Sequence, residues 1–176
     1  MINKKELYFY RTKGYLTPNW KLSHIQLNDL KNNLEKLISD NKNIRPEQLV
    51  CPHIKGGSMG VLKGNTHKYF IKLAYSEEII QLITPIIGKN ILLWGSQVFC
   101  KPPKDGMAVP MHQDSYYWPI KPMSTCSVWI AIDKSSKING CLKVIPKSHK
   151  EYFKHKKYHK DTALDSGIPL KVIKDK

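Results

Sequence analysis

Two residues of this 176-residue sequence, His112 and Asp114, have the types and spacing to share one cation. They stand one residue apart inside Met107–Trp118, MAVPMHQDSYYW. In an extended segment residues i and i+2 point to the same side, so an imidazole and a carboxylate so placed reach one ion together. Such a pair is two thirds of the two-histidine, one-carboxylate set that holds non-haem Fe(II) while leaving positions open for reactants. On spacing alone, metal ligands and polar surface residues are level readings. A second pair of the same spacing, His159 and Asp161, lies in a lysine-rich run without strand pattern and reads as chance.

Strands must position the first pair. Ser124–Ile132, STCSVWIAI, alternates Cys126, Val128, Ile130 and Ile132 with Thr125, Ser127, Trp129 and Ala131, the period of a half-buried strand. Ile91–Cys100 is also strand-like and is stopped by Lys101-Pro102-Pro103. Asn139-Gly140 signals a turn, and a short strand, Cys141–Ile145, follows it. The chain before Gly88 is helical in character. Ser23 and Gln26 form a capping box that opens a helix over about residues 24–39, with Ile25, Leu27, Leu30, Leu34, Leu37 and Ile38 on one face. Ser76 starts a second helix, Glu77 and Glu78 favour its first turn, Pro85 breaks or bends it, and Gly88 ends it.

The remaining segments carry weaker signals. Residues 1–20 read as an irregular aromatic entry with a short strand near Tyr15–Leu16, and residues 40–68 as polar turns. His155 and His159, four apart in the basic run 147–160, fit an exposed basic helix. Helices followed by turn-linked strands give an α+β class built on a sandwich or barrel.

Composition bounds the partners. A 41 % hydrophobic content is globular, and the length suits one domain over residues 1–176. The net charge of +15 is nearly all lysine; Arg11 and Arg45 are the only arginines. Nucleic-acid surfaces favour arginine for bidentate contacts, so no nucleic-acid partner is expected. The start, Met1–Tyr10, lacks an apolar leader segment. The apolar run Ile79–Gly88 is too short to span a bilayer. Cys51, Cys100, Cys126 and Cys141 show no CxxC spacing and read as free thiols. A cytoplasmic protein without a membrane segment is the expectation.

The ordered set WGSQVFCKPP, MHQDSYYWPI, STCSVWIAID and NGCLKVIPKSHK resembles the phytanoyl-CoA dioxygenase family, strongly from about Gly88 to Lys150. The resemblance implies an Fe(II)- and 2-oxoglutarate-dependent oxygenase that takes O2 and hydroxylates a small metabolite or acyl derivative. It implies a double-stranded β-helix, a cupin-like jelly roll over about residues 89–150, preceded by helices over 1–88 and followed by a basic tail, 151–176. His112 and Asp114 match the family's first two iron ligands. Gln97, four before the lysine of KPP, and Trp129 match the co-substrate's neighbourhood, as does Gln113 between the ligands; Lys63 is the nearest match to a lysine that contributes in some members. Tyr116, Tyr117 and Trp118 either shape the substrate side or pack the core. Retention of Asp114, which halogenating relatives replace by a small residue, implies hydroxylation.

The resemblance also implies a second histidine well beyond Ser148–Lys150 and an arginine after it, and no residue of this sequence stands at those places. His149 matches a family histidine that is not a ligand. Two expectations follow: a fragment whose C-terminal strands are missing, with exposed sheet edges, or a short, non-catalytic jelly-roll module binding an acidic ligand or partner.

Overall fold

A computed structural model describes residues 2–158 and 162–174. In chain order the elements are α1 (Lys4–Lys13), α2 (His24–Asp40), α3 (His67–Ala74), α4 (Glu77–Ile87), β1 (Lys156–Lys157), β2 (Ser166–Gly167) and α5 (Leu170–Lys174). Short 3-10 turns cover Pro46–Gln48, Asp114–Tyr116 and Ser148–Lys150. The chain divides into two compact units. The first comprises Asn19–Gly106 and Val128–Cys141, and the second Ile2–Pro18, Met107–Ser127 and Leu142–Lys176.

The first unit is built on α2. The Ser23 hydroxyl accepts the Gln26 N–H at 3.2 Å, and the Gln26 side chain accepts the Ser23 N–H at 2.9 Å. Two otherwise unpaired N–H groups of the first turn are thus satisfied locally, as the sequence predicts. Asn41 closes the helix: its side-chain amide donates to the Leu37 carbonyl at 2.8 Å and accepts the Lys63 N–H at 2.8 Å. Leu30 and Leu37 meet Leu49, Phe70 and Val98 in the core, with Ile130 and Ile132 packed against it. Phe70 comes from α3, which the turn-rich look of the preceding residues conceals. α4 continues one residue pair beyond Pro85. The ring removes a single N–H, and the Gly88 N–H still reaches the Thr84 carbonyl at 2.9 Å.

Ile91–Cys100, Ser124–Ile132 and Cys141–Ile145 do not form the predicted strands. The first of them is extended and makes one isolated antiparallel bridge, Val50 with Gln97, through Cys51 N–H to Ser96 O at 2.9 Å and Val98 N–H to Leu49 O at 3.3 Å. Val98 is buried, while Leu92, Trp94 and Phe99 are exposed; Leu92, Trp94 and Val98 share one parity, so no single alternation runs through the segment. A period-2 pattern decides which side chains face in; a ladder also needs a neighbour along its whole length. Among the described residues the regular sheet is one two-stranded ribbon, and no double-layered jelly roll is seen. The mixture of helix with little sheet is what the described residues contain.

The second unit begins with α1, where an irregular entry is expected. Asn3 and Glu6 make a capping box: the Asn3 side chain accepts from Lys5 and Glu6 N–H, and Glu6 accepts the Asn3 N–H at 2.9 Å. Two carbonyls near the other end are capped from the far part of the unit, Lys13 O by the Lys147 N–H at 2.8 Å and Arg11 O by His149 Nε2 at 3.1 Å. Gly14 follows at φ +83°, pressed against the His149 ring, so a side chain there meets both backbone strain and a clash. β1 and β2 pair antiparallel, Lys156 with Gly167 and Lys157 with Ser166. Far from forming a solvated tail, residues beyond 150 supply the buried Phe153, His155, Ser166 and Ile168. No helix among the described residues is long and apolar enough to cross a membrane.

Leu37, 1 % exposed, is the strictest test of the first core. Leu37→Ala is expected to lower unfolding free energy by about 2–5 kcal/mol, and Ser23→Ala by about 1 kcal/mol, both read from urea denaturation midpoints.

Candidate metal centre

Met107–Asp114 owes its course to residues 162–168 of the same unit. Ala108 bridges Thr162 in parallel. The Ala163 N–H donates to Ala108 O at 2.9 Å, and the Ile168 N–H to Met111 O at 2.7 Å. This docking carries the chain extended through Pro110–His112 and then into the turn Asp114–Tyr116.

His112 Nδ1 lies 2.8 Å from the Pro110 carbonyl oxygen. A carbonyl only accepts, so Nδ1 bears the proton. Nε2 faces Asp114 Oδ1 at 3.1 Å, and the other carboxylate oxygen accepts the Ser127 hydroxyl at 3.2 Å. Burial on its own would lower the His112 pKa; the hydrogen bond to Asp114, the Pro110 carbonyl and the Asp114 charge outweigh it and hold the imidazole above its usual range. The hydrogen bond from His112 holds Asp114 below the usual carboxylate range, against burial, with the His112 charge and Ser127 assisting. Each partner thus favours the charged form of the other.

The donor set fits a divalent first-row cation. Metal bonds to imidazole nitrogen and carboxylate oxygen are about 2.1 Å long, and two donors 3.1 Å apart can both reach one ion. The Nδ1–H to carbonyl bond is the outer-shell contact that fixes ligating histidines. Among the described residues no group of three His, Cys, Asp or Glu side chains could hold a metal.

His155 is close by and is not a third ligand. It is 7 % exposed and extended, not on an exposed basic helix. Its Nδ1–H donates to Phe153 O at 2.9 Å, and its Nε2 accepts the Gln113 N–H at 3.0 Å. Both ring nitrogens are occupied, and burial, the largest influence, holds the ring below its usual pKa. His159 lies outside the described residues.

Gln113 serves the backbone. Its side-chain oxygen accepts the Phe153 N–H at 2.9 Å, and its amide donates to Ser148 O at 3.2 Å and Glu151 O at 2.7 Å. Tyr116 stacks on His155 at 4.0 Å. Tyr117 packs edge-on to Tyr116 and to His112, and its hydroxyl donates to Ser166 O at 2.6 Å. An apolar hollow lined by Ile145, Phe153, Ile168 and Val172 opens beside Met111–Gln113. The other expected co-substrate residues belong to the first unit: Gln97 at its bridge with Val50, Trp129 47 % exposed, and Lys63 exposed in the loop beside Asn41.

The sequence pattern of the family described as phytanoyl-CoA dioxygenase matches residues 10–170. A probable phytanoyl-CoA dioxygenase of Caenorhabditis elegans is 32 % identical over 109 residues, covering 52 % of this chain and 35 % of the relative. A phytanoyl-CoA dioxygenase domain-containing protein 1 homolog of Dictyostelium discoideum is 30 % identical over 140 residues, 79 % of this chain and 48 % of the relative. A probable alpha-ketoglutarate-dependent hypophosphite dioxygenase of Stutzerimonas stutzeri is 36 % identical over 89 residues, 49 % of this chain and 31 % of the relative. The chain thus spans less than half the length of each of these relatives. No solved structure matches it.

The ion pair sets a pH window. Its stabilisation is lost as pH falls through the depressed Asp114 value and again as pH rises through the raised His112 value. In NMR titration of the metal-free protein, His112 is expected to titrate above ordinary histidine, and Asp114→Asn is expected to bring that midpoint down. An unchanged midpoint in the variant would show that the carboxylate does not hold the imidazolium.

Proposed function

We propose, on the premise that this chain belongs to the phytanoyl-CoA dioxygenase family, that it carries part of the centre of an Fe(II)- and 2-oxoglutarate-dependent dioxygenase hydroxylating a small organic molecule. The family has a cupin-like fold, and we read residues 1–176 as one family domain whose strand-patterned segments Ile91–Cys100, Ser124–Ile132 and Cys141–Ile145 correspond to its jelly-roll strands. The observation that carries the reading is the orientation of His112: its Nδ1–H is held by the Pro110 carbonyl, and its Nε2 is turned to the Asp114 carboxylate.

In this reading His112 Nε2 and an Asp114 oxygen hold the ferrous ion. When bound, the ion couples oxidative decarboxylation of 2-oxoglutarate, giving succinate and CO2, to hydroxylation of the substrate by O2. The chain's own residues prepare that chemistry. His112 gives up its Nε2 proton when the ion enters, so binding releases a proton and weakens as pH falls. Ser127 keeps Asp114 turned toward His112 through the second carboxylate oxygen. Tyr117 packs edge-on against the His112 ring and restrains its orientation. The hollow beside Met111–Gln113 offers apolar lining to a substrate. Gln97, Trp129 and Lys63 are proposed to line the 2-oxoglutarate pocket, on the resemblance of their positions to the family's.

The test is anaerobic Fe(II) binding followed by succinate release on adding 2-oxoglutarate and O2. His112→Ala is expected to weaken Fe(II) by ~100-fold or more, since outer-shell partners alone are worth roughly 10–100-fold. Absence of succinate from the intact protein, together with unaltered iron binding in His112→Ala, would sink the reading. Salt-sensitive binding of an acidic partner without turnover would favour a non-catalytic module instead.

A further inference from the structure

The buried histidine that the metal pair does not use lies one hydrogen bond from the residue between the two ligands. Gln113 separates His112 from Asp114, and four bonds tie it to residues 148–155. Its N–H goes to His155 Nε2 at 3.0 Å, its side-chain oxygen takes the Phe153 N–H at 2.9 Å, and its amide donates to Ser148 O at 3.2 Å and Glu151 O at 2.7 Å. The His155 ring is itself fixed from two further directions: Nδ1–H donates to Phe153 O at 2.9 Å, and one face stacks on Tyr116 at 4.0 Å and 13°. Tyr116 closes the turn that contains Asp114, its N–H donating to Gln113 O at 3.0 Å. The residues form a closed circuit running from Gln113 to His155, to Tyr116 and back to Gln113.

A dipeptide step between two ligands has two soft torsions on each side of Gln113. If Gln113 rotates, the His112 and Asp114 side chains no longer face the same point. We propose that Gln113 and His155 are positioning residues: they lock the peptide between the ligands so that His112 Nε2 and the Asp114 carboxylate converge on one cation. The inference rests on the reading of those two residues as ligands. It gives Gln113 a task that needs no contact with any co-substrate, and it gives His155 a role as acceptor rather than ligand.

His155→Phe keeps a ring to stack on Tyr116 and removes the acceptor; His155→Gln restores an acceptor; Gln113→Met keeps the chain length and removes all three side-chain bonds. Co(II) is the probe, with affinity taken from chelator competition and geometry from its visible absorption. His155→Phe and Gln113→Met are each expected to weaken Co(II) by roughly 10–100-fold and to alter its absorption bands, and His155→Gln to recover much of the affinity. Hydrogen exchange at the Gln113 amide, measured without metal, is expected to quicken in His155→Phe. Leu37→Val, which loosens the first core only, is expected to leave Co(II) affinity as in the parent, separating positioning from general loss of stability. Parent-like Co(II) affinity in both His155→Phe and Gln113→Met, or unchanged amide exchange in His155→Phe, overturns the proposal. Failure of the parent to bind Co(II) better than His112→Ala overturns the ligand reading and this proposal with it. Should His155→Phe not fold, Gln113→Met and His155→Gln decide the matter by the same readings.

Discussion

The hydrogen bond between His112 Nδ1 and the Pro110 carbonyl is the constraint on which the centre depends. It settles which nitrogen keeps a proton and therefore which one can meet a cation. The bond exists because Pro110–His112 runs extended, and it runs extended because Ala108 and Met111 are hydrogen-bonded to residues 163–168. The closely spaced His112–Asp114 pair is thus held by a segment about fifty residues further along the chain. The electrostatics follow from the same geometry. An imidazole forced to donate through Nδ1 and left facing a carboxylate rises in pKa despite its burial, and the carboxylate falls in response.

What was legible in the sequence was local. The Ser23–Gln26 box and the apolar face after it predict α2 almost to its ends, because both partners of each bond lie within one turn. The Asn3–Glu6 box was equally local and was hidden by the aromatic residues around it. The spacing of His112 and Asp114 placed the pair, and the structure brings their side chains within hydrogen-bonding distance. His155 was not legible: its partner Gln113 is 42 residues away, and a histidine in a lysine-rich run looks like solvated surface. The sign available was its two-residue spacing from Phe153, which places both on one side of an extended segment and buries both.

The strand-like segments divide the question differently. Alternation foretold a shared face for Ile130 and Ile132, and both pack against the core. It said nothing of hydrogen-bonding neighbours, and among the described residues Leu49–Cys51 lies along part of Ile91–Cys100. Side-chain facing is a property of one segment, whereas a ladder is a property of two. The family's cupin-like fold tells which neighbours to look for; the residues themselves tell which face each segment offers.

The two units are interleaved in sequence: Met107–Ser127 belongs to the second, while Val128–Cys141 returns to the first. During synthesis, then, the first unit waits for Ile130 and Ile132, and by that time the segment of the second that bears His112 and Asp114 has already left the ribosome without the residues 162–168 that dock it. For a protease, the same arrangement means that a single cut between residues 106 and 128 yields no piece containing either unit whole. Neither unit can be obtained by trimming the chain from one end, and the two must be handled as one folding problem.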